Sequence, residues 1–145
     1  MHVHRSAAIL PPLVGVLLAT SSCSTPAQPA NLYQRVVGFI DPLGSPIRPL
    51  TLPDTVRAGA TVTATVTTFG SSCIKPDGAT TTIGVARADI TPYDLVPLGA
   101  CVTDIGPFPR PVLLQFPAPG VVTVTLHGRG PTGPDSVSRS LVVQP

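Results

Sequence analysis

The chain has 145 residues, enough for one domain of ordinary size and not for two. Of its nine Lys and Arg, all but Arg5 follow Cys23, where they meet seven Asp and no Glu. This near-neutral mixture leaves no electrostatic footprint for nucleic acid and no basic cluster to grip a membrane surface.

The first segment carries a weakly charged start, Met1 to Arg5, and then an apolar run from Ala7 to Ala19. That run is about half the length a membrane-spanning helix needs, and Pro11-Pro12 would break a helix within it. A short apolar stretch behind a positive residue and ahead of small residues reads as a signal peptide over 1–22, to be set aside in reasoning about the fold. The residues Leu17-Leu18-Ala19-Thr20-Ser21-Ser22-Cys23 resemble the lipobox of bacterial envelope lipoproteins. In that family the cysteine sulfur receives a diacylglyceryl group and the new amino terminus is acylated, so the resemblance implies lipidation, including a palmitate-type chain, at Cys23. Thr20 departs from the family, which prefers Leu, Val or Ile there. The rival reading is ordinary cleavage after Ser21, which gives a secreted or periplasmic protein.

Three cysteines leave one unpaired in an oxidising compartment. Lipid on Cys23 would leave Cys73 and Cys101 as an even pair, and a disulfide between them is the economical outcome outside the cytoplasm. Two separate buried thiols are the alternative.

After Cys23, residues 23–33 read as a short tether in which Pro26 and Pro29 keep the chain extended. The domain then occupies 34–145. Its clearest strand is Ala60 to Val66, where alanine and valine alternate with threonine; such alternation marks a half-buried strand. The alternation slips at Thr67-Thr68-Phe69, which predicts a bulge or a strand end. Val122, Val124 and Leu126 against Thr123, Thr125 and His127 predict a second strong strand, started by Pro119-Gly120 and ended at Gly128. Shorter candidates are Arg35 to Ile40, Pro49 to Leu52, Thr80 to Ile83, Ala86 to Ile90, Val112 to Phe116 and Val137 to Val143. Turn signals between them include Lys75-Pro-Asp-Gly78 and Gly130-Pro-Thr-Gly133-Pro. No segment repeats at the helical period over three turns. The expected fold class is therefore all-β, a sandwich of seven or eight strands.

Pro53-Asp-Thr-Val-Arg-Ala-Gly59 before a Thr/Val strand, and Pro119-Gly-Val-Val-Thr-Val-Thr-Leu126 later, resemble the opening and a core strand of bacterial immunoglobulin-like domains. The resemblance implies an immunoglobulin-like β-sandwich. The chain departs from antibody-type domains in having no Trp and no tyrosine corner, and Cys73 lies past its strand. A Cys73–Cys101 bridge would thus staple loops instead of pinning sheet to sheet.

Little in the chain carries chemistry. His127 is the only histidine after the leader, and no Gly-x-Ser-x-Gly elbow surrounds Ser136, Ser138 or Ser140. One His and a cysteine pair cannot furnish the three or four ligands of a zinc site, and no cofactor is implied. Asp89, Asp94 and Asp104 flank the cysteine-stapled region, and their convergence in a cleft would favour a small hydrolase. The stretch Thr91 to Pro111 holds five prolines and reads as a long loop, a common place for function. Within it Tyr93, Phe108 and Arg110 are the residue types favoured as interface anchors. The structural alternative has Leu95, Leu98, Ile105 and Phe108 folding inward to cap the sandwich. The expected role is non-catalytic, binding or structural, with the membrane as partner through Cys23 and with envelope proteins or glycans as further partners. A place as accessory subunit, with an edge strand accepting another chain's strand, is a further option.

Overall fold

The computed structural model describes residues 32–41 and 45–145. The signal peptide, Cys23 and all but the last two residues of the tether lie outside the described residues. Nine strands form two packed sheets, and no helix occurs among the described residues. The all-β sandwich is as expected; β2 (Leu50–Thr51) falls within the expected strand Pro49 to Leu52, and the added strand is the short β3 (Thr55–Arg57), which pairs with a longer one.

The smaller sheet has the order β2-β4-β7, where β4 is Thr61–Gly70 and β7 is Gly106–Gln115. The larger contains β1 (Tyr33–Val37), β5 (Lys75–Ile83), β6 (Arg87–Pro97), β8 (Gly120–Gly130), β9 (Gly133–Gln144) and β3. One edge of β6 carries β5, and its other edge carries β8 beside its first half and β1 beside its second. The β3–β9 and β6–β8 pairs are parallel, so this sheet is mixed.

Alternation built the core. Val62, Ala64 and Val66 of β4 and Val112 and Leu114 of β7 face Val122, Val124 and Leu126 of β8 and Leu141 and Val143 of β9, all buried. Their β-branched and leucine side chains suit a pleated, half-buried surface, and each buried one contributes about 1.5–3 kcal/mol relative to exposure.

Two strands run further than their patterns predict. At Thr67-Thr68-Phe69 there is no bulge, and β4 stays in register with β7 from Thr61↔Gln115 to Gly70↔Gly106. The alternation is lost because both faces are covered there. Segment 38–40 stitches the sheets together at this point. Gly38 N–H donates to the Pro92 carbonyl and Ile40 N–H to that of Arg129, while Phe39 accepts from Phe69 N–H. Likewise β8 does not end at Gly128; it stays paired with β9 to Gly130↔Gly133, and Arg129 N–H donates to the Gly38 carbonyl. Gly128 is needed there, since a Cβ would lie 2.5 Å from Ile40 Cγ2.

Prolines did not stop strands where their missing donor faces away from the ladder. Thr67 and Phe69 donate to Pro49 and Phe39, so Pro109 and Pro107 opposite them occupy non-hydrogen-bonded pairs. Pro111 has the same parity. Three prolines thus strip donors from the outer edge of β7, which blunts it against other strands. Lys75-Pro-Asp-Gly78 is likewise part of β5, its turn signal absorbed as a bulge between Pro76 and Ala79 with Gly78 at φ 75°.

Candidate interaction surface

The predicted 91–111 loop shrinks to residues 98–105, because β6 runs to Pro97 and β7 begins at Gly106. Tyr93, Phe108 and Arg110 therefore do not form a loop surface. Tyr93 lies in β6 opposite Val37, half-buried, with the Arg35 guanidinium 3.7 Å above its ring. Phe108 and Arg110 lie on the inward face of β7 with Val112 and Leu114.

Arg110 is buried and is a clamp between sheets, not an anchor for a partner. Its Nη1 donates to the carbonyls of Tyr93 at 2.5 Å and Gly78 at 3.1 Å, and its Nη2 to Asp94 Oδ1 at 2.5 Å and to the Thr68 hydroxyl. Thr68 Oγ1 donates in turn to Asp94 Oδ1 at 3.1 Å. An arginine fork meeting a carboxylate and two carbonyls is the geometry that lets a buried charge persist. The signal in sequence was slight: a charged residue of the same parity as Val112 and Leu114.

Asp89, Asp94 and Asp104 do not converge. Asp89 is on the outer face of β6, 2.8 Å from His127 Nε2; Asp94 is committed to Arg110; Asp104 accepts from the Ser72 N–H at 3.1 Å. The His127–Asp89 pair was not foreseen, because it depends on the parallel register Asp89↔Thr125 between β6 and β8. It sits half-exposed on an open sheet face, with Ser136 opposite His127 in the ladder but no hydrogen bond between them among the described residues. No group of three metal-ligating side chains occurs among the described residues.

The connection 98–105 crosses from the larger sheet to the smaller at one end of the sandwich, beside 71–74, which crosses the other way. Cys73 and Cys101 bring their sulfurs to disulfide distance there, Cα atoms 6.0 Å apart, so the staple joins two loops as expected. Leu98 and Ile105 do not cap the core, and Leu95 and Phe108 are only half-buried. Arg110, Asp94 and Thr68 are buried between the sheets. With Cys101 drawn to Cys73 and Asp104 to Ser72, the loop's aliphatic side chains point outward. Leu98 is 67%, Val102 57% and Ile105 69% exposed. Leu32 joins them, 73% exposed, its carbonyl accepting from Leu98 N–H at 2.9 Å.

A second feature is the outer edge of β5. Thr123 N–H donates to the Ala86 carbonyl, so even-numbered residues of β6 bond to β8 and odd-numbered ones to β5. The ladder then uses Thr80 and Thr82 of β5 and leaves the backbone groups of Ala79, Thr81 and Ile83 facing out. No described strand pairs with that edge. The concavity lined by Arg48, Leu50, Leu52, Asp54 and Arg139, about 190 Å³, lies apart from the 98–105 loop. No known protein family, curated protein or solved structure matches this chain.

Proposed function

We propose that this chain is a lipid-anchored bacterial envelope protein whose β-sandwich has a binding or structural role and no catalytic one. The observation that carries the reading is cysteine parity. With Cys73 and Cys101 at disulfide distance, Cys23 is the odd cysteine, and it closes the lipobox-like Leu17–Cys23. Acylation accounts for it in a compartment where free thiols are unusual. The test is fractionation of wild type and Cys23→Ser after expression in a bacterial host. Wild type should stay with membranes through a high-salt wash and the variant should be released. Wild type in the soluble fraction would overturn the reading.

Within that role, the open edge of β5 favours partner binding by strand addition over use of β7, whose edge three prolines blunt. Main-chain pairing at Ala79, Thr81 and Ile83 would be extended by a partner's strand. A photo-cross-linker at Thr80, whose side chain is exposed while its backbone bonds to β6, should capture an envelope protein in cells. Equal capture from the outer edge of β7 would remove this preference.

A further inference from the structure

The exposed aliphatic side chains at the stapled end fall within a short stretch of chain. Scattered exposed apolar residues are normal on a soluble domain. Here, however, three fall within the eight residues 98–105 and a fourth, Leu32, is hydrogen-bonded to the first of them. A cluster of this kind marks a contact surface.

We infer that this end of the sandwich, Leu32 with Leu98, Val102 and Ile105, rests in the interfacial layer of the lipid bilayer that carries the anchor. The inference builds on the proposed lipidation of Cys23. Because β1 pairs antiparallel with the end of β6, Tyr33↔Pro97, the chain enters the domain at the end that bears the 98–105 loop. Eight residues lie between Cys23 and Leu32; fully extended, this stretch reaches at most about 30 Å. A bilayer holding Cys23 is therefore within reach of this end of the domain. A short tether also supplies an effective concentration in the millimolar range, so a small apolar patch need have little affinity of its own.

The chemistry around the patch suits lipid. Asp104, the only carboxylate within the loop, is turned toward Ser72 and accepts its N–H. Lys75 lies 4.6 Å from the ring of Tyr33, so a cation and a phenol border the aliphatic tip, the combination that sits at the level of lipid headgroups. Arg35 is paired with Asp77 and adds no net charge. The contact is therefore mainly apolar in origin and should depend only weakly on salt and on the fraction of anionic lipid. The disulfide at Cys101 holds the loop in shape, which limits the entropy lost on insertion.

The chain contains no tryptophan, so one introduced residue is a clean reporter. Val102→Trp and, as control, Val85→Trp would be made in the full-length lipidated protein. Val85 is 90% exposed in the β5–β6 connection at the opposite end. Each variant would be reconstituted into phosphatidylethanolamine–phosphatidylglycerol vesicles with and without brominated acyl chains. The V102W emission should shift to the blue and fall by about half or more with brominated lipid, as for a side chain about 5–10 Å below the headgroup boundary. V85W should do neither, and adding Leu98→Ser and Ile105→Ser to V102W should abolish the quenching. Water-like, unquenched emission from V102W would overturn the inference. So would a blue shift without quenching, which assigns the patch to a second copy or to residues 24–31. The mass of the amino-terminal peptide, measured on the same samples, separates the two levels. An unacylated Cys23 overturns the anchoring itself, whereas an acylated Cys23 with unquenched V102W overturns only the bilayer contact.

Discussion

Removing Arg110 alone should be among the most damaging single changes in the domain. In Arg110→Met the Asp94 carboxylate stays buried with Thr68 Oγ1 as its one remaining hydrogen-bond donor among the described residues, and the Tyr93 carbonyl loses its donor as well. Breaking one side of a buried pair costs about 3–5 kcal/mol, since the survivor is left as an uncompensated charge. Asp94→Leu should cost a similar amount by stranding the guanidinium. The double variant Asp94→Leu/Arg110→Met replaces the pair by apolar volume and should recover much of the loss, because desolvation of both charges is then avoided. The exposed pair Arg35–Asp77, 2.5 Å apart, is the control; water screens it, and Asp77→Asn should cost about 0–1 kcal/mol. Urea unfolding followed by far-ultraviolet circular dichroism reads all four. With slopes of about 1–3 kcal/mol per molar, the single core variants should lose roughly 2 M from their midpoints. Losses below about 1 kcal/mol for both singles, or a double variant as unstable as the sum of the singles, would refute the clamp.

Replacing Cys73 and Cys101 by Ser opens a cross-link spanning 28 residues, which in the chain-entropy model removes about 3.5 kcal/mol; intact mass before and after reduction should differ by two hydrogens in the wild-type domain. Thr81→Pro should change the melting temperature little, because its N–H faces away from β6, whereas Thr82→Pro removes a ladder donor and should be clearly destabilising; equal effects would mean that the β5 register is wrong. Gly128→Ala places a methyl 2.5 Å from Ile40 Cγ2 and should cost about 1–3 kcal/mol by overpacking, read from the same urea curves.

What was legible in the chain was whatever depends on period two. Val62, Ala64 and Val66, and Val122, Val124 and Leu126, announced both their strands and their buried faces. Cysteine parity announced the staple. What was hidden depends on contacts distant in sequence. The slip at Thr67-Thr68-Phe69 looked like an ending but marks where segment 38–40 covers the strand. The prolines of 91–111 looked like a loop because composition does not reveal which way a missing N–H points. Pro107 and Pro109 are tolerated only because β7 is an edge strand. Arg110 read as a surface anchor, since its partners Asp94 and Thr68 lie 16 and 42 residues away. Leu98 and Ile105 read as inward caps, but β6 runs to Pro97 and β7 begins at Gly106, which leaves them on an exposed connection.

The mature amino terminus at Cys23 can be weighed directly. Mass spectrometry of the amino-terminal peptide from membrane-extracted protein should show a chain beginning at Cys23 with a diacylglyceryl thioether and an acylated amine. An unmodified peptide beginning at Ser22 would contradict the anchor and make the sandwich a secreted or periplasmic protein.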